Sequence, residues 1–457
     1  MRLSELANLV GGELKGADRE FATVSIDSRT LAPQDLFFAL HGPRFDGHDF
    51  VPAVCERGAV AAVVERWVDA ALPEVKVDNA RLALGRLGHA WRMRAAARIV
   101  GLTGSNGKTT VKEMIAAILN VDAPTLSTRG NLNNDLGVPL TLLGLRPEHR
   151  YGVIEMGANH AGEIAYTVGL VRPEVALITN AGDAHLEGFG SRDGVARAKG
   201  EIIGGLGADG TAILNADDRY LGLWRDLAGS RRVLTFGFAK DADVRGLRET
   251  IRMSCGPAGF ETRFVCEQDG ERRELALKLA GRHNVANALA AAAATRALGL
   301  GFDTIAAGLA RLTPVPGRMQ PVRAANGALL IDDTYNANPS SFSAALDVLL
   351  ELPGVPWVVL GAFGELGADS AELHANIGYD AKARGVARWL ATGADAERSV
   401  QAFGDGAAFF DDQDGLIEHL MKTLTPDAVV LVKGSRSQRM ERVVHALRAG
   451  QESPTCC

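Results

Sequence analysis

The segment Arg98-Ile-Val-Gly-Leu-Thr-Gly-Ser-Asn-Gly-Lys-Thr-Thr110 reads as an apolar strand ending at Leu102, a tight glycine turn, and a helix beginning near Lys108. The same punctuation recurs downstream. The apolar runs Gly152–Met156, Val175–Thr179 and Gly210–Leu214 each precede a loop and then helical periodicity. Strands alternating with amphipathic helices predict a parallel sheet covered by helices on both faces. Residues from about 83 to 312 are therefore expected to form a central α/β unit of P-loop type. In such sheets ligands sit beyond the carboxyl ends of the strands.

Residues 1–82 predict a small mixed α/β unit, with strands at Asp35–Leu40 and Ala59–Glu65. A helical stretch, Arg81–Arg94, leads out of it. Thr313-Pro-Val-Pro-Gly317 is a stiff linker and a plausible hinge. Beyond it, strands at Ala328–Asp332, Trp357–Leu360 and Ala428–Val432 predict a second, smaller, Rossmann-like α/β unit spanning 313–457. The alanine-rich run Val285–Ala297 is expected to pack in a core, and Glu452–Cys457 to be disordered.

The formal charge, 49 − 55 = −6, argues against a broad nucleic-acid surface. An anionic substrate must then be held by local cations, metal ions or backbone N–H groups. No uncharged apolar run is long enough to span a membrane, and the first residues lack the pattern of a signal peptide. The cysteines Cys55, Cys255, Cys266, Cys456 and Cys457 are odd in number and show no metal-ligand spacing, which suits a reducing, cytoplasmic setting.

The chemistry-bearing residues cluster at the expected strand ends. Gly104 and Gly107 permit close backbone approach to phosphate oxygens, and the helix start favours negative charge. Lys108 can reach β- and γ-phosphates, and Thr109 can ligate Mg²⁺. The two glycines are three residues apart rather than the five of the common phosphate-loop pattern. Glu155, at the end of one apolar strand, suits a hard cation. His185, just past another, would overlook the same turn, although a lone loop histidine more often serves backbone. Lys199 is on its face a solvated helix lysine. A buried lysine, however, can lose its proton, and a neutral amine can take up CO₂ to give a carbamate with two oxygen donors.

Taken in order, these segments resemble the Mur ligase family. The resemblance runs through Thr103–Thr110, Glu155, Asn180…His185, Ala198-Lys-Gly-Glu201, Gly281-Arg-His-Asn-Val-Ala-Asn287, Gly317-Arg318, Asp332-Asp-Thr-Tyr-Asn-Ala-Asn-Pro339 and Lys433-Gly-Ser-Arg436. It covers nearly the whole chain. One departure is Gly361-Ala-Phe-Gly-Glu-Leu-Gly367, where Ala362 stands in place of the family's usual acidic residue.

The resemblance implies a three-domain α/β ligase that uses ATP and Mg²⁺ to join a carboxylate to an amine. It assigns Gly104, Ser105, Asn106, Gly107, Lys108, Thr109 and Thr110 to the phosphates, with Lys108 also catalytic. Thr109, Glu155, His185 and a carbamylated Lys199 would serve the metal. Asn284, Asn287, Arg318, Asp332, Tyr335 and Asn336 would contact the nucleotide, and Lys433 would neutralise phosphate charge. Ser28, Arg29, Asp46, Gly47, His48, Asn133 and Asn134 would hold the sugar-peptide substrate.

Gly130-Asn-Leu-Asn-Asn-Asp-Leu-Gly-Val-Pro-Leu-Thr-Leu-Leu143, Asp332–Ser341 and the amino-terminal Ile26-Asp-Ser-Arg29, with Leu36-Phe-Phe-Ala-Leu40 and Phe45-Asp-Gly-His48, narrow the implied substrates. They point to a UDP-N-acetylmuramoyl-tripeptide and D-alanyl-D-alanine, joined by a single chain acting as a monomer. Addition of a single amino acid, or a nucleotide-binding module without chemistry, are the alternatives.

Overall fold

The computed structural model describes residues 1–449 apart from 69, 183–185 and 257–258. His185 and Glu452–Cys457 lie outside the described residues. Three sheets follow one another along the chain. The first has the strand order Glu13–Lys15, Glu74–Lys76, Ala61–Val64, Leu36–Phe38, Val24–Ser25. All its pairings are parallel except the first. Leu36-Phe-Phe38 is buried on both faces, which is why it reads as a continuous apolar run. Helix Ala80–Arg94, capped by the Asn79 side chain on the Leu82 amide, connects this unit to the next.

The second sheet has nine strands, in the order Glu271–Leu277, Gly259–Gln268, Val244–Gly256, Arg232–Gly237, Thr211–Asn215, Val175–Ile178, Arg98–Thr103, Tyr151–Glu155, Thr125–Ser127. The expected strands appear within a residue or two of their predicted bounds. Helix Lys108–Asp122 follows the glycine turn at once. Its Val111, Met114, Ile115, Ile118 and Leu119 repeat at three and four residues and bury one stripe. That stripe packs in one core with the alanines of helix Arg282–Ala297 and with Phe302, Ile305 and Leu309. Cutting Ile118 back to alanine there would cost about 2–5 kcal/mol.

The sheet is not parallel throughout. Val244–Gly256, Gly259–Gln268 and Glu271–Leu277 extend it as an antiparallel meander. Strand Gly259–Gln268 buries alternate residues, and the meander leaves Arg252, Glu261 and Arg263 exposed. Its strands therefore lack the continuous apolar runs that mark the parallel strands.

The third sheet has the order Gln320–Arg323, Leu329–Asp333, Ala428–Lys433, Val355–Gly361, Arg388–Thr392, Ala407–Phe410, with one antiparallel edge. The carboxyl ends of its strands Leu329–Asp333 and Ala428–Lys433 lie across from the glycine turn of the second sheet. A cleft of about 600 Å³ opens there.

Candidate active site

The cleft is lined from one side by Ser105–Thr110 and Glu155, and from the other by Arg318, Asp333, Tyr335, Asn336 and Lys433. Gly107 adopts φ +80°, a left-handed conformation that an L side chain would strain, and delivers the chain into the helix at Lys108. The backbone of the turn is held from behind. Asn180 Oδ1 accepts the Asn106 amide at 3.0 Å, and Asn180 Nδ2 and Thr179 Oγ1 donate to the Asn106 carbonyl. Ser105 Oγ accepts the Gly182 amide at 2.9 Å.

Lys108 folds over its own turn, with Nζ donating to the Gly104 carbonyl at 2.8 Å and the Ser105 carbonyl at 3.3 Å. Burial pushes its ammonium below the usual lysine range; Glu155 opposes this and the nearby Arg318 charge adds to it. Arg318 enters from the Pro-rich linker. Its Nη2 donates to Thr109 Oγ1 at 3.2 Å, and its guanidinium lies 4.3 Å from the Tyr335 ring centroid. Thr109, Lys108 and Arg318 thus make a partly desolvated, cationic pocket, which suits a polyanion.

Glu155 is 2% exposed. Its amide donates to Thr128 Oγ1 at 3.0 Å, and the Thr128 carbonyl accepts from the buried Lys112 Nζ at 2.7 Å. Asn133 Nδ2 donates to Glu155 Oε1 at 2.8 Å, while Oε2 is buried with no hydrogen-bond partner among the described residues. A buried carboxylate oxygen left bare is costly unless a cation meets it. With Thr109 at the helix start, this donor set fits Mg²⁺.

Lys199 is 1% exposed on helix Arg192–Gly200. Its Nζ lies 3.5 Å from the Ala158 carbonyl and 5.1 Å from the centroid of the Phe189 ring. Burial lowers its pKa to about 7; Lys108 adds to the shift, and Glu163 and Glu201 oppose it. A substantial fraction of this amine is therefore neutral near physiological pH.

In the third sheet, Lys433 Nζ pairs with Asp333 Oδ2 at 2.6 Å and donates to the Asn336 carbonyl at 2.9 Å. It fixes the turn that carries Tyr335 and Asn336. Of the two adjacent aspartates, Asp332 accepts from Thr334 Oγ1 at 2.6 Å, and Asp333 is the one that lines the cleft. Asn284 and Asn287 also line it, bonded to each other at 3.1 Å. His283 joins them, and burial pushes its pKa below the usual imidazole range. Asn134 lines the cleft while its Oδ1 accepts the Gly137 amide at 2.9 Å.

The first-unit residues Ser28, Arg29, Asp46, Gly47 and His48 are not among the described residues that line the cleft. Arg29 is 84% exposed and pairs with Asp27 at 2.7 Å. His48 Nε2 accepts the Glu65 amide at 2.8 Å, so Nδ1 carries the proton that Asp46 Oδ1 receives at 2.6 Å. That pair ties a loop to the first sheet. Ala362 lies buried outside the cleft, and its carbonyl still accepts the Ser435 amide of the Lys433-Gly-Ser-Arg436 turn.

Sequence reasoning missed Asp333, His283, Asn338 and Ser340. Only Asn338 left a readable signal, as a helix-capping asparagine before proline.

Three family models match in chain order: "Mur ligase family, catalytic domain" over residues 20–92, "Mur ligase middle domain" over 102–295, and "Mur ligase, glutamate ligase domain" over 317–436. The chain belongs to the Mur ligase family. It is 48% identical to the UDP-N-acetylmuramoyl-tripeptide–D-alanyl-D-alanine ligase of Escherichia coli, over 99% of each chain. The enzyme of that name in Haemophilus influenzae is 38% identical over 97% of each. A crystal structure of MurF from Acinetobacter baumannii superposes with a TM-score of 0.92 at 39% identity, covering 97% of this chain and 98% of that one. MurF from Thermotoga maritima, solved in complex with ADP, gives 0.83 at 30% identity over 93% and 96%. The three-domain Mur ligase architecture is thus shared from end to end.

Proposed function

We propose that this chain joins D-alanyl-D-alanine to UDP-N-acetylmuramoyl-tripeptide at the expense of ATP, in the cytoplasmic synthesis of peptidoglycan precursor. The observation that carries this reading is the cleft in which a phosphate-binding turn, a cation-ready carboxylate, Arg318 of the linker and Lys433 of the third sheet converge. Full-length likeness to ligases of that name supports the substrates.

A carboxylate repels nucleophiles, so it must first be activated. Transfer of the γ-phosphoryl group to the tripeptide carboxylate releases ADP and gives an acyl phosphate. The free amine of D-alanyl-D-alanine then attacks the acyl carbon, and the tetrahedral adduct expels phosphate to leave an amide. The chain's task is to position and to neutralise charge rather than to form bonds of its own. The turn's amides and Lys108 hold the phosphates, and Arg318 approaches them from the linker. Lys433 keeps Tyr335 and Asn336 in place and adds positive charge beside Asp333. Shutting the cleft keeps water from the acyl phosphate.

Thr109 and Glu155 would hold Mg²⁺, with His185 and Lys199 completing the site; the ion would offset charge on the transferring phosphoryl group. Lys199, as a neutral amine, would add to CO₂ with loss of a proton, giving a carbamate that supplies further oxygen donors. In the proposed division of labour, residues 1–82 take the UDP-sugar peptide and 83–312 take ATP. Residues 313–457 close over both and receive the dipeptide.

A substrate panel tests this. Phosphate release should need ATP, the UDP-sugar tripeptide and D-alanyl-D-alanine together. Equal turnover with a single amino acid in place of the dipeptide would overturn the assignment.

A further inference from the structure

The Asn106 side chain, at the tip of the phosphate turn, belongs to a closed ring of three hydrogen bonds. Asn338 Nδ2 donates to Asn106 Oδ1 at 2.8 Å, Asn106 Nδ2 donates to Ser340 Oγ at 2.9 Å, and Ser340 Oγ donates to Asn338 Oδ1 at 3.0 Å. Each group is satisfied by the next, so the ring closes without water. One member lies on the central unit and two on the first turn of helix Pro339–Glu351 of the third. Gly182, after strand Val175–Ile178, lies against it: a Cβ there would come 2.9 Å from Ser340 Oγ and 3.2 Å from Asn106 Nδ2. The Gly182 amide also holds Ser105. The turn, the segment leading toward His185 and the third unit therefore meet at one point.

We propose that Asn338 and Ser340 are positioning residues for the phosphate turn, acting through Asn106 to tie its geometry to closure of the third unit. The backbone of Asn106 is already fixed by Asn180; its side chain is free to report on the far side of the cleft. When the ring is closed, the turn's amides are aimed and Arg318 stands within reach of Thr109. When the third unit swings away, the side-chain bonds from Asn338 and Ser340 are lost and the tip of the turn is held only from behind. Nucleotide that fits the aimed turn favours closure, and closure in turn favours nucleotide. The coupling rests on the reading that this turn holds ATP.

Asn338 also caps its helix, accepting the Ser341 amide at 2.8 Å. Replacement by alanine would mix that cap with the ring. Asn338→Ser keeps a good capping residue and removes the long-armed donor. Asn106→Ala opens the ring from the other side, and the double variant completes a cycle.

The readouts are KM for ATP, kcat, and the affinity for ADP by calorimetry, with the thermal midpoint as a control for folding. Each single variant should raise KM for ATP and weaken ADP by about 5–10-fold, as a coupling of ordinary size would. The double variant should be no worse than the poorer single one. Independent, additive losses, or unchanged nucleotide affinity in both single variants, would overturn the proposal. If Lys108→Ala binds ADP as wild type does, the phosphate-turn reading itself fails. Additive ring variants alongside a defective Lys108→Ala would condemn the ring alone.

Discussion

Asn133 Nδ2 donates to Glu155 Oε1 at 2.8 Å, while the buried Oε2 has no hydrogen-bond partner among the described residues. The asparagine thereby fixes the orientation of Glu155 in the cleft that Thr109 also lines. Removing such an orienting partner typically costs 10–100-fold in metal affinity. Asn133→Ala should accordingly raise the Mg²⁺ concentration for half-maximal phosphate release by about 10-fold at saturating ATP, while Glu155→Ala should be inactive. An unchanged Mg²⁺ titration for Asn133→Ala would remove the orienting role.

The Lys199 amine gives a dependence on pH with a definite sign. Its pKa falls from 10.5 to about 7 on burial. Between those values the unfolded chain binds a proton that the folded chain does not, so raising pH stabilises the fold. The penalty is full below pH 7 and lifts toward 10.5. Lys199→Met should therefore raise the thermal midpoint by a few degrees at pH 6 and progressively less above pH 7, while losing turnover. If the amine works as its CO₂ adduct, Lys199→Ala should regain part of its activity in short carboxylates. A midpoint gain that grows with pH would contradict the assignment.

The Lys433–Asp333 pair is nearly sealed, with side-chain exposures of 2% and 13%. Breaking a buried pair from one side leaves the other charge bare, at a cost of about 3–5 kcal/mol. Lys433→Met should lower the thermal midpoint by several degrees, and the double replacement Lys433→Met with Asp333→Leu should recover most of that loss. Turnover should stay low in both if Lys433 also meets phosphate. Restored activity in the stable double variant would reduce Lys433 to a strut.

The parallel strands were legible because both their faces are buried: Arg98–Thr103, Tyr151–Glu155 and Ala428–Lys433 read as unbroken apolar runs. The antiparallel meander was not, because its alternating pattern with charged outer residues looks like ordinary surface. Within the site, residues at strand ends and in the glycine turn could be found from local pattern. The choice between Asp332 and Asp333 could not, since a shift of one residue reverses the face of a strand. The ring of Asn106, Asn338 and Ser340 joins positions 232 and 234 residues apart, and no local pattern reports that distance. The depressed pKa of Lys199 likewise arises from its burial in the fold, with the Lys108 charge adding to it. Ser28, Arg29, Asp46, Gly47 and His48, assigned from the sequence to the sugar-peptide, stand on the first unit and are not among the described residues that line the cleft.

The most direct trial of the phosphate turn is phosphate release by Lys108→Ala in the presence of ATP, the UDP-sugar tripeptide and D-alanyl-D-alanine. Loss of at least about 100-fold in rate, the usual effect of removing one group that stabilises transition-state charge, is expected with a circular dichroism spectrum like that of the parent. Undiminished release by a folded Lys108→Ala protein would contradict it.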